Sequence, residues 1–166
     1  PLRLVGSKLA APRAVLTADR ELALLRELIQ AASRGPGVEP LAAAAARMIT
    51  AATDSDVCFV HVLDDTERSL TLAGATPPFD SEVGKIRLPL GQGISGWVAS
   101  HLEPVVIRRD KESDPRYRPF ESLRGSDFTS MVSVPMETDP GGLVGVLNVH
   151  TVEHRDFPAR DVELLL

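Results

Sequence analysis

The sequence contains a single cysteine, Cys58, among its 166 residues. One thiol cannot form an intrachain disulfide or a thiolate metal cluster, and this scarcity fits a reducing, cytoplasmic compartment. The sequence also lacks any apolar run near the roughly 18 residues that a membrane-spanning helix needs. Residues 1–11 lack the continuous apolar stretch of a secretory signal. We therefore expect a cytoplasmic protein that makes no membrane contact.

An excess of positive charge is absent as well. Lys and Arg number 18 against 23 Asp and Glu, which gives a formal net charge of -5. Nucleic-acid binders gather basic residues on one face, whereas here they are interleaved with acidic ones. The densest basic cluster comprises Arg108, Arg109, Lys111, Arg116 and Arg118. Acidic residues alternate with it, so we interpret it as a solvated loop with internal ion pairs rather than a phosphate-binding patch, and we expect no direct nucleic-acid binding.

The remaining composition, 43% hydrophobic and 25% charged, is that of an ordinary globular domain. A chain of this length predicts one domain, or one domain with a helical extension. The chain begins at Pro1, and residues 161–166 form an amphipathic pattern without the Gly, Asn or Pro that would end a helix. We expect a fragment of a longer protein in which this last helix continues.

Two helices are predicted before the first strand. Asp19 is a suitable N-cap for a helix whose leucines recur every three or four residues, and residues 34–37 break that helix. The second helix is rich in alanine, which allows close packing on a sheet or a partner helix. The face that we expect it to bury contains Leu41, Ala45, Met48, Ile49 and Ala52.

From Asp56 onward the apolar period changes from 3.6 to 2, which predicts strands. We expect six of them, at 57–63, 69–73, 85–90, 104–107, 129–136 and 142–150. A short helix is predicted over 94–100, and a polar connection of the length seen in lids and binding loops over 108–128. Because short turns join two strand pairs, we expect an antiparallel sheet in an α+β fold, with helices on one face and the long loop enclosing a pocket on the other.

Several motifs occur in a recognisable order and spacing, at 88–99 (LPLGQGISGWVA), 103–107, 114–117, 130–136 and 145–149. Together they resemble the GAF domain family, over about residues 38–166. The resemblance implies a PAS-like, six-stranded antiparallel sheet with N- and C-terminal helices on one face and loops and short helices on the other. Ahead of this domain we expect an extended segment, 1–18, and a linker or dimerisation helix, 19–37.

The resemblance also implies a ligand pocket between the sheet and the loops around the fourth strand. The side chains that we expect to line it are Trp97, Val106, Phe120, Phe128, Ser130 and Val132. The alternative for Trp97 and Phe128 is that they only fill the core. Family members that bind cyclic nucleotides often carry an Asn-Lys-Phe-Asp motif, and its absence here disfavours such a ligand.

Cofactor and thiol chemistry find little support. Cys58 lies in a predicted strand, where a lone cysteine is usually a small buried hydrophobe. Some GAF-fold proteins reduce free methionine sulfoxide with a set of cysteines, so one cysteine implies that this activity is absent. One histidine could serve as an axial haem ligand, as in some GAF-like sensors. No pair has metal-ligand spacing, however, and we interpret all four as solvated or capping: His61, His101, His150 and His154.

These features favour a sensory domain rather than an enzyme, since no motif supplies a catalytic triad or a distinctive carboxylate pair. We expect an unidentified small molecule to enter the pocket, the 108–128 loop to close, and the flanking helices to shift within a homodimer. The resemblance suggests a transcriptional regulator or a histidine kinase as the output. A ligand-free dimerisation or interaction scaffold, and a haem or redox sensor, are the alternatives.

Overall fold

The computed structural model describes Arg26, Ile29, Gln30 and residues 37–166. The predicted segment 1–18 and the predicted helix 19–37, apart from these few positions, lie outside the described residues. Within the described part of the chain, no helix is both long enough and apolar enough to cross a bilayer.

Six strands form one sheet in which all neighbouring strands are antiparallel, which confirms the predicted fold class. The strands are β1 (Val57–Asp64), β2 (Ser69–Ala75), β3 (Arg87–Pro89), β4 (Val105–Ile107), β5 (Ser130–Thr138) and β6 (Gly142–Thr151). Their order across the sheet is β3-β2-β1-β6-β5-β4, so the first and last strands are central neighbours. Both faces of these central strands are covered, which explains their nearly continuous apolar sequences.

Two helices, α1 (Val38–Thr53) and α3 (Ala159–Leu165), cover one side of the sheet, which we call the helix face. The alanines of α1 allow a close approach, and a Cβ on Gly74 of β2 would overlap the backbone of Ala42. The buried stripe of α1 runs through Ala42, Ala46 and Ile49. Leu41, which we expected on the buried face, is 38% exposed because it precedes this stripe by one residue.

The other side of the sheet, which we call the cavity face, is covered by α2 (Gly93–His101) and by residues 108–128, which we call the lid. The lid contains short 3-10 helices at Lys111–Ser113, Glu121–Leu123 and Gly125–Asp127. At the start of α2, Gly91 and Gly93 have φ values of 80° and 67°. Side chains rarely adopt this conformation, so the two glycines allow the chain to turn from β3 into α2.

Candidate functional site

A cavity of about 70 Å³ lies between the cavity face and the lid. Such a volume holds on the order of five water molecules, or one small organic molecule. Apolar side chains form most of the wall: Phe59, Ile94, Phe120, Leu123, Phe128 and Met131. A polar set faces the same space and comprises His61, Ser95, Lys111, Tyr117, Asn148 and His150.

The strand register decides which side chains reach this cavity. Successive side chains of a strand point to opposite faces, so residues two apart share a face. On β5, Met131 pairs with His150 of β6, and Ser133 pairs with Asn148. These four residues therefore lie on the cavity face, whereas Val132, Val134 and Met136 of β5 lie on the helix face.

Of the residues that we expected to line a pocket, Phe120 and Phe128 line this cavity. The expectation was wrong for three others, since Val106 and Val132 pack into the core of the helix face and Ser130 shares the face of Val132. The physical reason is the period of two, because an error of one residue moves a side chain to the other side of the sheet.

Trp97 also lies outside the cavity wall. Its ring stacks on His101, with 4.1 Å between ring centroids and 12° between planes. The guanidinium of Arg116 lies 4.7 Å from the centre of the indole, and Asp114 holds that guanidinium through an ion pair of 2.7 Å. Trp97 therefore connects α2 to the lid through Arg116, outside the cavity.

The histidine interpretation was wrong for His61 and His150, which are only 4% and 8% exposed and face the cavity. Burial lowers the pKa of His61 to about 4. Burial, together with the charge of Lys111, lowers the pKa of His150 well below its ordinary value. Both rings are therefore neutral at pH 7. Among the described residues, no group of three His, Cys, Asp or Glu side chains could hold a metal ion.

Asn148 joins β6 to α2 across the cavity. Its Nδ2 donates a hydrogen bond to Ser95 Oγ at 2.8 Å and lies 3.4 Å from His61 Nδ1. Its Oδ1 is buried and has no hydrogen-bond partner. A buried acceptor without a partner costs about 1–3 kcal/mol. A donor bound in the cavity would remove this cost.

Lys111 belongs to the basic cluster that we expected to be solvated, but it is only 1% exposed. Its Nζ lies 3.4 Å from His150 Nδ1, 5.3 Å from the ring centre of Phe128 and 5.6 Å from that of Tyr117. Within residues 37–166 it forms no ion pair with a carboxylate. Burial lowers the pKa of Lys111 to about 8, against an opposing effect of Glu112 and Asp127.

Tyr117 lies beside this ammonium, and its buried hydroxyl has no hydrogen-bond partner. Burial raises the pKa of Tyr117, so the hydroxyl keeps its proton and can donate. Gly125 leaves the space that this hydroxyl occupies, since a Cβ there would overlap it. The lid therefore brings a cation and a donor to the same end of the cavity.

Cys58 is fully buried in the core of the helix face, which confirms its interpretation as a structural residue. Burial raises the pKa of its thiol, so the nucleophilic thiolate is disfavoured. The sheet separates the thiol from the cavity.

The model of the GAF domain family matches residues 38–166. This chain belongs to the GAF domain family. A curated relative, the dual 3',5'-cyclic-AMP and -GMP phosphodiesterase 11A of Takifugu rubripes, is 30% identical over 102 residues. The match covers 56% of this chain and only 11% of that protein.

Solved structures show the same fold. The GAF domain of a phosphoenolpyruvate-protein phosphotransferase from Coxiella burnetii superposes with a TM-score of 0.73 at 24% identity, covering 87% of this chain and 84% of that one. The free methionine-R-sulfoxide reductase from Neisseria meningitidis, in complex with its substrate, superposes with a TM-score of 0.67 at 22% identity, covering 93% and 89%. A GAF domain of this kind is a regulatory or sensor-type module.

We expect Lys111→Met to raise the free energy of unfolding at pH 7 by roughly 1–3 kcal/mol, because it removes an ammonium that folding buries without a counter-charge. The folded pKa of Lys111, about 8, lies below its ordinary value of 10.5. The unfolded chain therefore binds more protons between these pH values, and the stability of the parent protein rises with pH across that window. Urea denaturation at several pH values should show that Lys111→Met loses this rise.

Lys85→Met is the matched control, since Lys85 is exposed and forms only a surface pair of 3.6 Å with Glu82. Its effect should stay within about 0.5 kcal/mol. A Lys111→Met protein that is less stable than the parent at pH 7, with the same dependence on pH, would contradict the assignment.

Proposed function

We propose that this domain senses a small molecule that binds in the cavity beneath the lid, and that the flanking helices α1 and α3 carry the signal. One observation carries the proposal: three buried polar groups that face the same cavity are not fully satisfied. The hydroxyl of Tyr117 and Oδ1 of Asn148 have no hydrogen-bond partner. The ammonium of Lys111 has the neutral His150 at 3.4 Å but no counter-ion within residues 37–166. A core that only fills space satisfies its buried polar groups. Two serine hydroxyls outside the cavity wall, Ser69 Oγ and Ser133 Oγ, are also unpaired, so the proposal rests on the convergence of these three groups on one cavity.

The volume of the cavity supports a ligand smaller than a nucleotide. About 70 Å³ is well below the roughly 300 Å³ at which pockets for drug-sized molecules begin. The curated relative is named as a cyclic-nucleotide phosphodiesterase, but this cavity has no room for such a ligand with the lid in its present position. The missing Asn-Lys-Phe-Asp motif agrees with this argument.

Binding without turnover is the second part of the proposal. In the part of the chain that the structure describes, no cysteine, aspartate or glutamate lines the cavity. The one cysteine lies across the sheet, within the core of the helix face. The cavity wall thus offers neither a thiol nor a carboxylate for chemistry on a bound molecule.

The route from the lid to the helices starts at Ser130. Its hydroxyl donates to the carbonyl of Arg108 at the base of the lid and accepts from the backbone N–H of Arg155 at 3.0 Å. The guanidinium of Arg155 donates to the carbonyl of Asp54, which caps α1, and to Asp161 of α3, both at 3.0 Å. A movement of the lid would therefore reach both helices through one side chain.

We further propose that the protein is a cytoplasmic homodimer in which these helices pair with a second copy. Apolar side chains exposed on α1 and α3 support pairing, with exposed fractions of 52% at Val38 and 60% at Leu164. The proposed output is a module of a transcriptional regulator or a histidine kinase, as the family resemblance suggests.

Native mass spectrometry of the purified chain tests ligand binding and subunit number together. We expect a noncovalent adduct smaller than a nucleotide on a dimeric protein. Leu123→Phe should remove the adduct, because Leu123 lines the cavity and a larger ring fills its small volume. Leu102→Phe is the control, since Leu102 is 41% exposed and lies outside the wall. A parent protein that carries no adduct, and gains none from a cell extract, would contradict the proposal.

Arg155→Lys tests the route to the helices. Lysine keeps the positive charge beside Asp161. It lacks the planar guanidinium group, whose second nitrogen donates to the carbonyl of Asp54. We expect the adduct to persist, while the ligand-dependent change in hydrogen exchange of α1 and α3 is lost. Arg109→Lys is the control, because the guanidinium of Arg109 lies 3.0 Å from the exposed His154 and, among the described residues, has no hydrogen bond to α1 or α3. Unchanged transmission in Arg155→Lys would show that Arg155 carries no signal.

A further inference from the structure

The charges around the cavity indicate the class of ligand, an inference that rests on the proposed function. Within residues 37–166, Lys111 is the one buried side chain with a positive charge at pH 7. The ring nitrogen nearest to its Nζ belongs to the neutral His150, at 3.4 Å. The aromatic faces of Tyr117 and Phe128 stabilise the ammonium, but they carry no net charge. An anion in the cavity would supply the missing counter-charge.

The same wall disfavours cationic and zwitterionic ligands. Among the described residues, no carboxylate lines the cavity, so a bound amine would be a second uncompensated buried cation. The single buried positive charge of Lys111 also limits the net charge of an anion that the cavity could bind. Arg118 reaches the rim, but it is exposed, and its Nη1 donates to the carbonyls of Tyr117 and Pro115 at 2.9 and 3.4 Å. One buried ammonium balances a monoanion and leaves half of a phosphate dianion uncompensated.

The second polar group that a ligand would contact belongs to Asn148, two residues before His150 on β6. Asn148 and His150 share the cavity face at a separation of about 7 Å, which is twice the rise per residue of a strand. Lys111 stands at the His150 end of this line. At the other end, the amide nitrogen of Asn148 donates a hydrogen bond to Ser95 Oγ and lies 3.4 Å from His61 Nδ1. Its Oδ1 is thereby left to accept from a ligand donor.

We propose that the ligand is a small monocarboxylic acid that also carries a hydroxyl or an amide N–H. Its carboxylate accepts hydrogen bonds from Lys111 Nζ and the hydroxyl of Tyr117. Its donor meets Oδ1 of Asn148. The apolar wall, with Phe59 in the sheet and Phe120 and Phe128 in the lid, encloses the short carbon chain between these two ends.

Calorimetry on the full chain tests the class with matched probes. Small hydroxy acids and N-acyl amino acids, beginning with lactate and N-acetylglycine, are each paired with the corresponding neutral amide. We expect the acids to bind and the amides to bind roughly 10- to 100-fold more weakly, the factor for a lost charge-assisted hydrogen bond. Lys111→Met should weaken acid binding by a similar factor and Lys85→Met should leave it unchanged.

The donor end has its own comparison. Lactate and propionate differ by one hydroxyl, so the parent protein should prefer lactate. Asn148→Leu should abolish this preference while propionate binding persists. If Asn148→Leu does not fold, the comparison of acid with amide in the parent protein still decides the class.

Acid binding should also fall as pH rises through about 8, where the ammonium of Lys111 loses its proton. The groups that face this ammonium are His150 behind it, His61 further along the sheet, Tyr117 in the lid, and Glu112 and Asp127, whose charges favour the protonated form. Both histidines stay neutral throughout this range, so they do not produce the change.

The outcomes separate this inference from the proposed function. Binding of acids that depends on Lys111, or identification of a co-purifying adduct as such an acid, supports it. Equal binding of amides, tighter binding of inorganic phosphate, or a neutral or cationic adduct would overturn the ligand class and leave the sensor proposal standing. A parent protein with no adduct and no affinity for any probe would overturn both.

Discussion

The buried ammonium of Lys111, which lies 3.4 Å from the ring nitrogen of the neutral His150 at one end of the cavity, is the feature on which the site depends. Burial of a charge without a counter-ion is costly, and proteins normally avoid it by pairing or neutralisation. Here two aromatic faces and a ring nitrogen stabilise the ammonium only in part. The fold therefore leaves a buried positive charge uncompensated, and a bound anion would supply the counter-charge. Departures from local rules of this kind are expected at functional sites.

The two faces of the sheet divide the work between stability and binding. On the helix face, small and branched side chains such as Ala46, Val132 and Val149 form a buried apolar core. That core tolerates the less favourable cavity face, where buried polar groups stand among aromatic rings. At one edge Ser130 and Arg155 connect the two, so that the base of the lid and the ends of both flanking helices share one hydrogen-bonded group.

The fold followed from local patterns, whereas much of the site did not. Alternation after Asp56 predicted the strands, and the short turns that join two strand pairs predicted an antiparallel sheet. The face of β5 was not predictable from alternation, because Met131 and Val132 are both apolar and both are buried. A usable signal lay in β6, where Asn148 and His150, two residues apart in an apolar strand, mark the cavity face. Lys111 carried no such signal, since a charge in a polar loop looks the same whether solvated or buried.

The most direct test of this account is the titration of Lys111 itself. NMR of protein labelled with ¹⁵N-lysine follows the side-chain nitrogens, and Lys111→Met assigns the resonance. For the ligand-free protein, the account predicts a pKa of about 8 for Lys111, and an increase when an acid binds. A midpoint at the ordinary lysine value of 10.5, unaffected by any acid, would show that the ammonium is already solvated or paired and would contradict the central claim.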